Sequence, residues 1–86
     1  MTVSEQNDLA VGRLCENVER LRTGRGLTLG GLSEQTGVPR RILAEMAKGR
    51  LPRSFTVEML LRLACFFQAR PADLLEENPA ANGGEK

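Results

Sequence analysis

The fold of this chain depends on residues 28–49, which read TLGGLSEQTGVPRRILAEMAKG. Thr28 is a residue type that caps the start of a helix, and Gly37 suits the left-handed turn that ends one. Pro39 comes two residues later, and proline is favoured in the first turn of a helix because its missing N–H needs no partner there. Gly49 then closes the second helical segment. These helix-start and helix-end residues predict two short helices that are joined by a tight turn.

Two short helices joined in this way cross at a steep angle and form a helix-turn-helix unit. We expect the first over residues 28–36 and the second over residues 39–48. In the second helix, Leu43 and Met46 lie three residues apart and should face inward, and Ile42 should take part in core or edge packing. The outward side chains are then mainly Arg40, Arg41, Ala44, Glu45 and Lys48.

On either side of this unit, apolar residues recur at helical spacing. This pattern predicts three further helices, and so an all-α fold. The first helix runs over residues 8–23 with Asp8 as its cap, and the last begins at Pro71. The fourth begins after Thr56 and has a wide apolar arc that predicts a central packing helix: Val57, Leu60, Leu61, Leu63, Ala64 and Phe67. We expect one domain over residues 8–76, with a disordered tail at 1–7 and a flexible tail at 77–86.

Composition excludes several classes of protein. The chain has 86 residues, 41% of them hydrophobic, and no apolar run near the roughly 20 residues that span a bilayer. The polar N-terminus is unlike a signal peptide, so we expect a cytoplasmic protein. In that compartment Cys15 and Cys65 should be buried apolar fillers, with a disulfide or a reactive thiol as the alternative. With no histidine in the chain, we expect neither a metal site nor a cofactor.

The formal net charge of +1 conceals an uneven distribution. Residues 20–53 contain eight cations but only two anions, whereas the rest of the chain contains four cations and nine anions. Such a partition indicates that one face meets a polyanion, with double-stranded nucleic acid as the candidate. The alternative is chance clustering of charge on a solvated surface.

Residues 26–43, GLTLGGLSEQTGVPRRIL, resemble the core of Cro/lambda-repressor-like (XRE-type) DNA-binding domains. Residues 56–64 and 71–75 are similar to the fourth and fifth helices of that family, and the resemblance covers roughly residues 12–75. It implies a compact five-helix domain, usually dimeric and mostly a transcriptional regulator. The second helix would lie across the phosphate backbone and the third in the major groove.

The chain departs from the family at two supporting positions. Leu29 stands where the family often has a glutamine that braces a phosphate, and leucine cannot form that contact. Arg22 stands where the family has an arginine that pairs with a glutamate in the third helix, but the second position here is Ala47. Arg22 must therefore find another partner or reach solvent. The loop after Gly49 is about two residues longer than usual for the family.

The resemblance places base-reading side chains at the start of the third helix. Arg40 and Arg41 would each present two donors to the O6 and N7 atoms of guanine. Ala44 is small enough to meet a thymine methyl group. Glu45 would either accept from a cytosine amino group or hold Arg41 by a pair four residues apart, and the sequence leaves both interpretations open.

Phosphate contacts are expected from the loop after the third helix and from the start of the second. Arg50 and Arg53 are the main candidates, with Lys48 beside them. Backbone N–H groups near Thr28 and Leu29 would also receive a phosphate, although a cap role accounts better for the Thr28 hydroxyl.

The expected function is sequence-specific transcriptional regulation by a protein without enzymatic activity, since the chain has no cluster of nucleophile and base. The alternative is a protein-interaction module, antitoxin-like or a regulator that binds a protein partner. We expect a homodimer, with an apolar patch for the second subunit formed by partly exposed Phe66, Leu74 and Leu75.

Overall fold

The described residues form five α-helices and no strand in a computed structural model, which describes the backbone of residues 3–76 and the side chains of residues 9–76. The predicted tail at 77–86 lies outside the described residues. An all-helical architecture is therefore confirmed for the described part. In chain order, the helices are α1 (Val3–Gly24), α2 (Leu29–Thr36), α3 (Arg40–Ala47), α4 (Val57–Phe66) and α5 (Pro71–Leu74).

Helix α1 begins at Val3, so the prediction that Asp8 caps its start is wrong. The predicted disordered tail is likewise wrong for residues 3–7, which are helical. The sequence pattern failed here because an apolar period reports only the packed part of a helix, and that period starts at Val11.

Helix α2 begins and ends where the sequence predicts. The Thr28 hydroxyl accepts a hydrogen bond from the Gly31 N–H at 2.9 Å. At the other end Gly37 has a left-handed backbone with φ of 80°, and its N–H donates to the Ser33 carbonyl at 2.8 Å. The Thr36 hydroxyl donates to the Leu32 carbonyl at 2.8 Å. The Thr28 and Gly37 bonds satisfy backbone groups that the helix ends leave without an intrahelical partner, and the Thr36 hydroxyl adds a second donor to the Leu32 carbonyl.

Helix α3 occupies residues 40–47, and Pro39 and Lys48 flank it as caps. Pro39 therefore lies one position before the first helical residue, where its φ of −56° leads directly into the helix. The inward prediction for Leu43 and Met46 is confirmed, because each is 1% exposed. Ile42 is buried to the same extent.

The hydrophobic core lies where five helix contacts meet. Helix α1 packs against α3 and α5, α2 packs against α3 and α4, and α4 also packs against α5. Removing this apolar surface from water is the main favourable term in folding. The buried apolar residues are Leu14, Cys15, Val18, Leu32, Val38, Ile42, Leu43, Met46, Leu63, Ala64, Phe67 and Leu74.

Helix α4 is not the fully buried helix that its apolar arc predicts. Val57 is 70% exposed and Leu61 is 50% exposed, while Leu63 and Ala64 are buried. The predicted central packing helix is therefore packed on one side only, because the arc is wider than the surface that α2 and α5 cover. Cys65 is also exposed, which contradicts its prediction as a buried filler.

Helix α5 is tied to α1 by a buried amide. Asn17 is 2% exposed, and its Nδ2 donates to the carbonyl oxygens of Leu74 at 2.8 Å and Glu76 at 2.7 Å. Its Oδ1 accepts from the Arg20 guanidinium. The Leu74 side chain is 0% exposed, so the predicted partly exposed patch of Phe66, Leu74 and Leu75 is wrong at its centre.

Replacing Asn17 with alanine should lower the free energy of unfolding by about 2 kcal/mol, because two carbonyl oxygens at the end of α5 lose their donor. Urea denaturation followed by circular dichroism measures this. Gln35→Ala, at an exposed position, is the control and should change stability by less than about 0.5 kcal/mol. Equal losses in the two variants would show that the amide does not hold α5.

Candidate nucleic-acid interface

The outer surface of α3 is a single arc of polar and small side chains. At about 100° per residue, positions 40, 41, 44, 45 and 48 fall within an arc of about 140°. Arg40, Arg41 and Lys48 are exposed on it, while Ala44 and Glu45 are half-buried. The opposite side carries the buried residues that hold the helix to the core: Ile42, Leu43 and Met46. Burial of one side therefore determines which side chains face solvent.

The loop between α3 and α4 lies along one edge of this arc. Leu51 and Phe55 anchor the loop by packing against the core. A shallow depression is lined jointly by α3 and the loop: Arg41, Ile42, Glu45, Pro52 and Ser54. Arg53 lies in the loop segment that borders this depression and is exposed.

Glu45 is the acidic side chain on this arc, and its partners differ from the predicted one. Its carboxylate lies 3.8 Å from Lys48 Nζ and 3.8 Å from an Arg50 guanidinium nitrogen. No pair with Arg41 is present within the described chain, so of the two interpretations left open for Glu45, the one in which it holds Arg41 is not found. Pairs at this distance between exposed groups are weak, so both cations stay available to a stronger anion.

Arg40, Arg41 and Arg53 have no hydrogen bond or ion pair with any residue that the structure describes. Together with Lys48 and Arg50 they make five exposed cations on α3 and the loop that follows it, and we call these five residues the basic surface. The structure thus brings the predicted base-reading arginines and the predicted phosphate-binding cations onto one side of the molecule.

The other three cations of residues 20–53 are occupied elsewhere, and Arg20 is one of them through its hydrogen bond to the buried Asn17. Arg22 donates to Glu19 at 2.6 and 2.9 Å and to the Leu27 carbonyl at 2.6 Å. The hydrogen bond to Glu19 raises the pKa of Arg22 above its ordinary value. The Arg25 guanidinium lies over the rings of Phe66 and Phe67, at 5.3 and 5.1 Å from their centroids. The positive charge that is available to a partner is therefore confined to a smaller surface than the count of cations in residues 20–53 suggests.

Backbone N–H groups accompany the cations at two helix starts. At α2 the Thr28 hydroxyl caps Gly31, whereas the N–H groups of Leu29 and Gly30 find no acceptor among residues 3–76. The Leu29 side chain is half-buried against the core, so only its backbone is available to an anion. Helix α3 has no side-chain cap and no acidic residue in its first turn, so its positive end is not neutralised locally.

Arg62, on α4, supports the junction between α2 and α3, and sequence reasoning missed it. Its Nη1 donates to the Thr36 carbonyl at 3.3 Å, and its Nη2 lies 2.7 Å from a Glu58 carboxylate oxygen. A Cβ atom at Gly37 would approach this Nη1 to 3.0 Å. The contact joins residues 26 positions apart, so no local pattern could have revealed it.

Chemistry other than anion binding has little support in the described residues. They contain no group of three or more histidine, cysteine or acidic side chains that would hold a metal ion. Both cysteines are free thiols, and burial, with a smaller effect of Glu19, raises the pKa of Cys15. A raised pKa makes a thiol less reactive because the thiolate is the nucleophile. No helix among the described residues has the length and apolarity to cross a membrane.

Comparison with protein-family models, curated proteins and solved structures gave no match to this chain. A function for the basic surface therefore rests on the chemistry of its own residues. Those residues are guanidinium groups, one ammonium group and free backbone amides, which all bind anions. Their spread over a helix and a neighbouring loop fits an extended polyanion better than one small ion.

Gly37→Ala should destabilise the protein more than Gly49→Ala. Both glycines have a left-handed backbone, with φ of 80° and 83°, which costs an alanine about 1–2 kcal/mol. A Cβ at position 49 meets nothing within 4 Å, whereas one at position 37 lies 3.0 Å from Arg62 Nη1 and so crowds the group that bonds the Thr36 carbonyl. Urea unfolding of both variants measures the difference, and equal losses would show that the Arg62 contact adds no stability.

Proposed function

We propose that this chain is a sequence-specific DNA-binding transcriptional regulator that inserts α3 into the major groove. The observation that carries the proposal is the pair Arg40 and Arg41, both exposed and unpartnered within the described chain, in the first turn of a helix whose opposite side is buried. In this proposal α2, the turn and α3 act as a helix-turn-helix of the Cro/lambda-repressor-like type. The protein would work in the cytoplasm.

The dimensions of α3 suit this role. An α-helix with its side chains is about 10–12 Å across, and the major groove of B-DNA is about 12 Å wide. Arg40 and Arg41 would meet the O6 and N7 acceptors of guanine, and Ala44 would lie where a thymine methyl group fits. Glu45 lies on the same arc but is drawn towards Lys48 and Arg50, so we propose that it positions these cations.

The phosphate backbone would be bound by the rest of the basic surface and by α2. Lys48, Arg50 and Arg53 would neutralise phosphates on one side of the groove. The free N–H groups at Leu29 and Gly30 would receive another phosphate, with the Thr28 hydroxyl retained as the cap. This arrangement needs no glutamine at position 29, because the contact is made by the backbone.

The ion pair that an arginine of the first helix would form with a glutamate at the position of Ala47 is replaced by a pair within α1. Glu19 pairs with Arg22 within α1, so this arginine does not need an acidic partner on α3. Ala47 is exposed and leaves α3 free of a second carboxylate. A lower negative charge next to the basic surface favours binding of a polyanion.

Charge reversal at the recognition positions is the main test. Arg40→Glu/Arg41→Glu should weaken binding to a DNA site selected from a random library by at least about 100-fold, since each bidentate contact is worth about 1–3 kcal/mol. The wild-type affinity should fall with salt, with a log–log slope of about −3 when Lys48, Arg50 and Arg53 each neutralise one phosphate. Fluorescence anisotropy measures both quantities, and circular dichroism checks that the variant is folded.

Arg70→Glu is the matched control, because this arginine is exposed just before α5 and pairs with Asp73 outside the basic surface. It should change DNA affinity by less than about threefold. Unchanged affinity in the Arg40/Arg41 double variant would reject α3 as the recognition helix. Failure of the library to enrich any site would instead favour the alternative, a protein-interaction module with the same helices.

Glu45→Gln tests the role of the single carboxylate in the basic surface. Because the substitution removes an anion beside Lys48 and Arg50, affinity should rise several-fold for all DNA sequences alike. Repeating the library selection with this variant measures base preference. Loss of preference for cytosine at one position would show that Glu45 reads a base.

A further inference from the structure

The outer face of α4 carries an apolar stripe that nothing in the described chain covers. Val57 and Leu61 are 70% and 50% exposed, and Cys65 continues the stripe at the same spacing of four residues. Side chains four residues apart lie on one face of a helix, so the three form a continuous strip about 12 Å long. We call these three residues the α4 stripe. Large apolar side chains grouped in this way are typical of an association surface.

Two opposite charges flank the α4 stripe on one side. Glu58 and Arg62 are both exposed and form an ion pair at 2.7 Å, four residues apart on the same helix. The carboxylate therefore lies nearer the start of α4, and the guanidinium nearer its end. Rotation by a two-fold axis perpendicular to the helix exchanges these ends.

We propose that the α4 stripe is a self-association surface, on which α4 packs antiparallel against α4 of a second copy of this chain. Leu61 lies near the two-fold axis and contacts Leu61 of the second copy. Val57 lies opposite Cys65 of the second copy, and Glu58 lies near Arg62 of the second copy. The Val57–Cys65 and Glu58–Arg62 contacts are each made twice, as a two-fold interface requires, and the Leu61 pair lies on the axis itself.

The occupant is a second copy because the face is complementary to itself. The apolar residues of the stripe meet apolar or weakly polar residues under the two-fold rotation, and each charged residue meets its opposite. An unrelated partner would not require this match between the two ends of one helix. The antiparallel arrangement also places the positive end of each helix near the negative end of the other.

The size of α4 limits the strength of the dimer. A helix of ten residues is about 15 Å long, and one such face buries less than the roughly 800 Å² per partner of a standard stable interface. The dimer should therefore form reversibly, in the micromolar range or weaker. This surface replaces the patch expected around Leu74, whose side chain is in the core.

Self-association is measured on the full chain without DNA, so its outcome is independent of the proposed DNA binding. Sedimentation equilibrium over a concentration series should show a monomer–dimer equilibrium for the wild type. Leu61→Glu places two carboxylates at the two-fold axis and should raise the dissociation constant at least about 30-fold. Circular dichroism checks that the variant keeps its helices.

Leu9→Glu is the matched control, since Leu9 is a large hydrophobic residue 45% exposed on α1, away from the α4 stripe. It should leave the dissociation constant within about twofold of the wild type. A wild type that stays monomeric at millimolar concentration, or a Leu61→Glu variant that dimerises like the wild type, would overturn the proposal.

A disulfide tests the direction of packing. In Val57→Cys, the new thiol should form an intermolecular disulfide with Cys65 of the second copy under mild oxidation by diamide. It cannot reach Cys65 of its own chain, which lies about 12 Å away along the helix, beyond the roughly 7 Å limit between the Cα atoms of a disulfide. Non-reducing electrophoresis measures the cross-linked dimer, and Val57→Cys/Cys65→Ser should lose it. Efficient cross-linking of the wild type through Cys65 alone would indicate parallel helices and reject the proposed arrangement.

Discussion

The packing of one side of α3 into the core is the constraint on which the candidate interface depends. Ile42, Leu43 and Met46 are each 1% exposed, so α3 cannot rotate about its axis without bringing apolar surface into water. Burying each of these side chains is worth about 1.5–3 kcal/mol relative to exposure. A rotation that turned Arg40 inward would lose this energy and would also bury an unpaired charge. The direction in which the arginines point is therefore a consequence of hydrophobic burial.

The direction of the α3 axis depends on a second set of contacts. Gly37 supplies the left-handed turn after α2, and Arg62 reaches from α4 to the Thr36 carbonyl beside that turn. Asn17 holds the end of α5 to α1, which packs in turn on α3. The first turn of α3 is thus supported on several sides while its outer arc stays uncovered. Such support matters for a binding surface because side chains on a rigid element lose less freedom when they bind.

The sequence predicts the helices whose ends carry capping or turn residues, and it misses the contacts between residues that are distant in sequence. Thr28, Gly37 and Thr56 mark helix ends through bonds to neighbours within a few residues, and Pro71 marks the start of α5 through its fixed φ, so those boundaries can be predicted. The basic surface was also predictable, since residues 40–53 are close in sequence. Three other features could not be predicted from the sequence. They are the contact of Arg62 at the α2–α3 turn, the position of Arg25 over the phenylalanine rings, and the exposure of Val57, Leu61 and Cys65. Each of these features depends on which helix covers which face of another. The apolar pattern of a helix does not show how much of its apolar arc is packed against a neighbouring helix.

The two proposed surfaces are linked if both operate, because they lie on the same rigid fold. A dimer presents two basic surfaces, and binding the second then becomes an intramolecular step with a high effective concentration. Each surface alone is modest: the α4 stripe is short, and one subunit contributes only five cations. Linkage is reciprocal, so DNA with two suitably spaced sites favours the dimer by the same factor by which the dimer favours DNA. A weak self-association surface is therefore consistent with a regulator that is monomeric in free solution and paired on its operator, and neither interaction needs to be strong alone.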